Sequence, residues 1–199
     1  MQMTIYEDIG TLHSLKTTSL ITIEQLFKFV INFSLGEINA SKLAKNLGKD
    51  FDTISCYLNY LEQADLIRFI YSNSTGHSYL RNPIKMYPEN TNLIHAANFS
   101  LAEDQEKGKI RETFIVNQIQ NQKIPIFYSQ KGDFKINDYI FEIGGKRKNT
   151  KQIQGIEKVF ILADDILVGS QSTIPLYLFG LLYQPFHYLV QNHLWRVFI

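Results

Sequence analysis

The spacing of apolar residues changes near residue 66, and this change constrains the fold more than any other feature of the sequence. Before it, apolar residues recur three and four positions apart, as on one buried face of a helix: Ile23, Leu26, Phe27, Val30 and Ile31. From Leu66 to Tyr71 the chain is instead mostly apolar and rich in residues that favour strands. We therefore expect helices first and strands afterwards.

Two further helices are predicted before this change. One covers about 40–47 and ends at Gly48, and the next begins after Asp50 or Asp52, both good N-cap residues. After turn residues around Gly76, a returning strand is expected at 84–87. Helix, short turn, helix and hairpin is the order of a winged helix-turn-helix, which we place at residues 1–95.

The second half reads as an α/β domain over residues 96–199. A helix is expected at 110–120 and a closing helix at about 175–183. Strands are expected at 126–129, 133–136, 139–143 and 159–162. The polar run Glu103 to Lys109 is interpreted as the separator between the domains. The expected fold class is α+β, with a helical winged-helix domain and its hairpin wing preceding this α/β domain.

Composition excludes several classes of protein. The 199 residues are 45% hydrophobic, which excludes a disordered chain, and the single cysteine, Cys56, excludes a disulfide scaffold. The most apolar stretch, 174–190, is broken by Pro175, Pro185 and His187, so no membrane span is expected. No phosphate-binding glycine motif is present. The lone thiol and the absence of a signal peptide predict a cytoplasmic location.

Two carboxylates form the candidate site. If the strands around Asn137-Asp138 form a hairpin, Asp133 and Glu142 can reach the same side of the sheet, and Glu112 on the preceding helix can supply a third oxygen. Such a set suits Mg²⁺, which activates water in phosphodiester cleavage. The alternative interpretation is a solvated carboxylate near a turn for Asp133 and an edge-strand charge for Glu142.

These segments resemble a known family. Arg111-Glu112-Thr113-Phe114, Gly132-Asp133-Phe134 and Phe141-Glu142-Ile143-Gly144-Gly145-Lys146 are similar to the PD-(D/E)XK nuclease-like, or restriction-endonuclease-like, fold. With Tyr57-Leu58 and Lys85-Met86-Tyr87, the chain resembles the C-terminal region of bacterial and archaeal AAA+-type ATPases, a domain of unknown function. The resemblance implies that a P-loop ATPase domain precedes this region, and these residues contain none.

The chain departs from the nuclease pattern at the lysine. The pattern places a lysine two residues after the glutamate, and here that position is Gly144. Lys146 is an even number of residues from Glu142, so both side chains would share one face of a continuing strand. It lies, however, about 13 Å along an extended strand from Glu142. Lys135, on the face of Asp133, is the other candidate. An active site would therefore consist of Asp133, Glu142 and a relocated Lys135 or Lys146.

Nucleic-acid binding has two candidate locations. The first is the basic run Lys146-Arg147-Lys148 with Lys151, which suits phosphates or a solvated loop equally. The second is the third helix, where Asn59 and Tyr60 are the polar groups expected on the surface. From Asp50 to Leu66 the sequence carries four acidic residues and no lysine or arginine, so DNA reading by this helix is disfavoured.

Three functions follow, in order of preference. The first is a non-catalytic regulatory or interaction module with a degenerate nuclease-like domain, whose partner is an ATPase domain or another protein. The second is a Mg²⁺-dependent DNA nuclease, and the third is a winged-helix DNA-binding regulator. Oligomeric state, the identity of the partner and the biological process stay open.

Overall fold

The computed structural model describes residues 2–32, 40–73, 83–96, 103–145 and 158–182. Helices dominate the first part and strands the second, as the change in apolar spacing predicts. None of the helices in these ranges has the length and apolar character needed to cross a membrane.

The first part contains the three predicted helices. They are α2 (Thr17–Asn32), α3 (Ala40–Asn46) and α4 (Phe51–Gln63), and they follow a π-helical segment (Thr4–Ile9) that continues into α1 (Gly10–Leu12). Gly48 has a φ of +61°, which favours glycine and ends the α3 turn. Asp50 is the N-cap of α4, since its side chain accepts the Thr53 backbone N–H at 2.8 Å.

The strands of both halves form one sheet. In chain order the elements are β1 (Ile67–Ser72), β2 (Lys85–Pro88), α5 (Thr91–Ala96), α6 (Glu103–Asn121), β3 (Phe127–Tyr128), β4 (Phe134–Ile136), β5 (Tyr139–Gly144), β6 (Val159–Ala163) and β7 (Thr173–Pro175). The order across this seven-stranded sheet is β2-β1-β3-β4-β5-β6-β7. The pairs β1–β2, β3–β4 and β4–β5 are antiparallel, and β1–β3, β5–β6 and β6–β7 are parallel. The fold is thus mixed α/β.

The β1–β2 hairpin separates two hydrophobic cores. Phe69 and its cross-strand partner Met86 pack with the helices of the first half. Ile70 and Tyr87 point to the other face and pack with the α6 core. Because successive side chains of a strand alternate between faces, a short hairpin serves both cores.

Lys109 of α6 links the second half to the end of α2. Its ammonium group donates hydrogen bonds to the backbone carbonyls of Val30 and, at 2.6 Å, of Ile31. A cation is favoured at a helix C-terminus, where carbonyls lack partners within the helix. Burial of the side chain lowers the pKa of Lys109 to about 8.

Several local predictions were wrong. The polar run Glu103 to Lys109, for which no helix was expected, forms the start of α6. The closing helix is a 3₁₀ helix, Leu176–Leu181, and Pro175 ends β7 instead of beginning the helix. The N-terminal helical segment and α5 were not predicted.

Replacing Lys109 with Met should lower the free energy of unfolding by about 1–3 kcal/mol, because two buried carbonyls lose their donor. Urea denaturation measures the change. Lys131→Met, at an exposed loop position, is the control and should change little. Equal stabilities for the two variants would contradict the role given to Lys109.

The lowered pKa of Lys109 predicts that the free energy of unfolding depends on pH. Between pH 8 and 10 the unfolded chain keeps the lysine proton, whose ordinary pKa is 10.5, while the folded chain releases it. The unfolded state then binds more protons, so the free energy of unfolding of the wild-type rises with pH relative to Lys109→Met. Urea midpoints of both proteins across this range provide the measurement, and a constant difference would refute the assignment.

Candidate functional site

A lysine is buried against the inner face of α6. Lys85 of β2 pairs with Ile70 in the antiparallel ladder, so both side chains face the α6 core. The residue is 8% exposed, and its ammonium nitrogen lies 3.1 Å from Oε2 of Glu112. The same nitrogen lies 5.4 Å from the centre of the Phe134 ring. An unpaired ammonium there would cost several kcal/mol, so Lys85 depends on this partner.

Glu112 is held by two donors. Its Oε2 accepts hydrogen bonds from the Lys85 ammonium and from the Tyr87 hydroxyl. Burial raises the pKa of the Glu112 carboxyl and nearby Asp133 adds to this, while Lys85 and Tyr87 act in the opposite direction. Burial also raises the pKa of Tyr87 well above its ordinary value, with the Glu112 charge contributing. The tyrosine therefore stays a hydrogen-bond donor at neutral pH.

Asp133 joins the same cluster from the residue before β4. Its Oδ1 lies 4.0 Å from the Lys85 nitrogen, and its Oδ2 accepts the backbone N–H of Ile143 at 2.7 Å. Its own backbone N–H donates to the Phe141 carbonyl at 2.9 Å. The side chain thus takes the place of a backbone acceptor beside β5. The interpretation of Asp133 as a solvated carboxylate near a turn was wrong.

Glu142 belongs to the other face of the sheet. Its neighbours Phe141 and Ile143 lie in the α6 core, so alternation along β5 directs Glu142 away from that core. It is 4% exposed and lies on a strand between β4 and β6, so it is not an edge-strand charge. A Cβ added at Gly132 would lie 3.4 Å from Glu142 Oε2. The loop before β4 therefore packs closely over this carboxylate.

The lysine that reaches two carboxylates differs from both sequence candidates. Lys135 pairs with Ile140, two residues from Glu142 on β5, and so belongs to the outer face with Glu142. Lys146, Arg147, Lys148 and Lys151 lie outside the described residues. In the sequence, Lys85 lies between the apolar residues Ile84 and Met86. A charged residue within a buried strand is usually paired, and this signal could have identified Lys85.

The residues predicted to hold Mg²⁺ do not fit it as a set. Glu112 and Asp133 share the Lys85 cluster, whereas Glu142 lies on the opposite face. In the described part of the chain, no group of three or more His, Cys, Asp or Glu side chains is arranged to hold a metal ion. One Glu112 oxygen, moreover, already accepts two internal donors.

A second ion-pair cluster lies where the parallel strands β5 and β6 end. Arg111 of α6 contacts Asp164 through Nε at 3.0 Å and Asp165 through Nη2 at 3.7 Å. The Asp164 backbone N–H donates to the Gly144 carbonyl, and a Cβ added at Gly145 would lie 3.4 Å from Arg111 Nη2. Arg111 therefore lies close to the backbone at the end of β5.

The two residues proposed for DNA reading differ in their surroundings. Asn59 is exposed on α4, as expected. Tyr60 is partly buried and stacks on His13, with ring centres 3.7 Å apart, and a hydrogen bond with Cys56 raises the pKa of its hydroxyl. Tyr60 thus packs against His13 on one ring face and is not a fully exposed group of the helix surface.

The family model described as "Domain of unknown function (DUF8612)" matches residues 1–105, and the chain belongs to this family. The match covers the N-terminal helical segment, helices α1 to α5, the hairpin with Lys85 and Tyr87, and the first residues of α6. It ends before Glu112 and Asp133. No curated protein and no solved structure matches the chain.

Changing Lys85 to Met should lower the free energy of unfolding by about 3–5 kcal/mol, because Glu112 is left buried without its cation. The double variant Lys85→Met/Glu112→Gln should recover most of this loss, since neither charge remains. Urea denaturation of both variants and of Glu112→Gln completes the cycle.

The exposed pair Lys158–Asp138 provides the matched control, because its side chains are 53% and 78% exposed. Lys158→Met should cost less than about 1 kcal/mol. If the losses from Lys85→Met and Glu112→Gln simply add in the double variant, the two residues are not coupled as described.

Proposed function

We propose that the chain is a non-catalytic regulatory or interaction module. It consists of a winged helix fused to a degenerate nuclease-like domain, as in the C-terminal part of the AAA+-type ATPases that it resembles. The observation that carries the proposal is the engagement of Glu112 by the Lys85 ammonium and the Tyr87 hydroxyl. A carboxylate bound in this way contributes to stability instead of holding a metal.

The topology of the second half supports the nuclease-like part of this proposal. After α6, strand β4 is antiparallel to both β3 and β5, and β6 and β7 then continue in parallel. Asp133, just before β4, and Glu142, in β5, are the two carboxylates of the segments that resemble the nuclease pattern. The proposed degeneration then concerns the lysine of the pattern, where Gly144 stands, and the contacts that the carboxylates make.

Accessibility argues against catalysis. Side-chain exposure is 11% for Lys85 and 6% for Glu112, so neither group meets a phosphodiester without rearrangement. Metal-assisted cleavage requires oxygen ligands that converge on an ion open to both water and substrate. Here one carboxylate is neutralised internally, and Glu142 lies on the opposite face.

The winged helix supports a role in protein contacts. Its α4 is capped by Asp50, has Asp52 in its first turn and has no basic residue in its last turn. Its wing pairs with β3, so the hairpin is part of a sheet instead of projecting alone. Acidic charge and a wing built into the sheet disfavour DNA and leave the helical surface for a protein partner.

One observation favours the nuclease alternative. A lysine nitrogen does lie beside two carboxylates, at 3.1 Å from Glu112 and 4.0 Å from Asp133. If the cluster opened to solvent, Lys85 would replace Lys135 or Lys146 as the lysine of the site. This alternative makes a specific prediction that the preferred function does not share.

A cleavage assay distinguishes the non-catalytic module from the nuclease. Supercoiled plasmid and single-stranded DNA are incubated with the protein in Mg²⁺ and in Mn²⁺, beside Asp133→Ala and Asp138→Ala. We expect no cleavage by any of the three proteins, because the Glu112 cluster is closed.

Asp138 is the matched control, since it is an exposed carboxylate near the same hairpin. Cleavage by the wild-type and by Asp138→Ala that disappears in Asp133→Ala would overturn the proposal and establish the nuclease.

A further inference from the structure

A groove opens between the N-terminal helical segment and the end of α4. Its volume is about 290 Å³, near the lower limit of small-molecule pockets, so it suits a single side chain better than a large cofactor. The lining residues that matter here are Asp8, Leu12, His13, Tyr60, Gln63 and Asp65. We call it the N-terminal groove.

One wall of the N-terminal groove is aromatic. His13 and Tyr60 stack with an angle of 17° between their rings. The neighbouring Tyr57 ring lies 6.2 Å from Tyr60, and its hydroxyl donates to Ser19 at 2.9 Å. Stacked rings held in this way offer a preformed surface to a planar cation, which binds over aromatic faces.

The charge of the groove is negative. Asp8 and Asp65 are exposed carboxylates of its lining, which contains no lysine or arginine among the described residues. The groove also lies at the C-terminal end of α4, where the helix dipole is negative and no basic residue occupies the last turn. Two carboxylates and a helix C-terminus all favour a cation at one place.

The backbone at one of these two aspartates has a left-handed conformation. Asp65 has a φ of +51°, and its N–H donates to the Glu62 carbonyl at 3.0 Å. Aspartate and asparagine tolerate this left-handed conformation better than most residues. The position therefore combines a required backbone conformation with a charge at the mouth of the groove.

The lining also includes an exposed apolar residue. Leu12 lines the groove and is 77% exposed. Its side chain offers apolar surface that an occupant of the groove can cover. An occupant that combines a cation with a neighbouring apolar residue would cover both parts.

We infer that the N-terminal groove binds an arginine side chain of a partner protein, with an apolar residue of the partner against Leu12. Arginine fits better than lysine because its planar group stacks on the rings and can reach two carboxylates. The inference deepens the proposed interaction function and rests on it, since it assigns a surface and a chemistry to the partner.

The test uses the full chain and two small probes. Backbone amide NMR spectra are recorded during titration with N-acetyl-arginine methylamide and with N-acetyl-citrulline methylamide, its neutral analogue. We expect saturable shifts for the amides of Asp65 and Thr4 with the arginine probe, at least threefold tighter than with citrulline. Equal affinity for both probes, or no saturable shift with arginine, would overturn the inference.

Variants test the groove itself. Asp8→Asn and Asp65→Asn should each weaken the arginine probe by about threefold to fivefold, as expected for an exposed ion pair, without altering the fold. Glu7→Gln removes an exposed charge next to Asp8 that does not line the groove, and it should bind as the wild-type does. Unchanged binding by both aspartate variants would also overturn the inference.

The result of the arginine titration does not depend on the result of the cleavage assay. DNA cleavage dependent on Asp133 would overturn the non-catalytic function without affecting arginine binding at the N-terminal groove. Loss of the arginine signal would remove this partner chemistry while the absence of cleavage still stood.

Discussion

The charge of Lys85 must be neutralised inside the protein, and the arrangement of the second half depends on how this is achieved. The lysine belongs to β2 of the hairpin, while its partner Glu112 belongs to α6. Their ion pair, with the Tyr87 hydroxyl bound to the same carboxylate, connects the hairpin to the helix that covers the second core. A carboxylate at position 112 therefore has a structural reason independent of any metal.

The hairpin carries more than this ion pair. It contributes one face to each hydrophobic core, and β1 pairs in parallel with β3 to extend the sheet. Arg68 on the α6 face binds Glu89 and Asn121, and Lys109 reaches back to the end of α2. The two halves of the described chain are joined by strand pairing, ion pairs and shared apolar packing.

Much of the secondary structure was predictable because it rests on local signals. The helices α2, α3 and α4 follow from apolar spacing, and their ends follow from Asp50 and Gly48. The N-terminal segment was missed because its buried face consists of only Ile5 and Ile9, too short a pattern to interpret. β7 was missed because a proline near a helix start and a proline at a strand end look alike in sequence.

The candidate site was predictable only in part, for a physical reason. The sequence predicts a hairpin around Asn137-Asp138, and β4 and β5 pair in antiparallel as expected, with Asp133 just before β4 and Glu142 in β5. The direction of Asp133 is set by a hydrogen bond to the Ile143 backbone, which no spacing reveals. The partner of Glu112 lies 27 residues earlier in the chain, on a strand that pattern reading assigned to another domain.

The most direct measurement of the central claim is paramagnetic broadening of amide NMR signals by Mn²⁺. The reporter is the amide of Ile143, which is bound to Asp133 and lies beside the Lys85 cluster. If Glu112 and Asp133 are held by internal donors, Mn²⁺ at sub-millimolar concentration leaves this signal as intense as those of other buried amides. Selective, saturable loss of the Ile143 signal, absent in Asp133→Ala, would show that the carboxylates are free to bind a metal and would contradict the account.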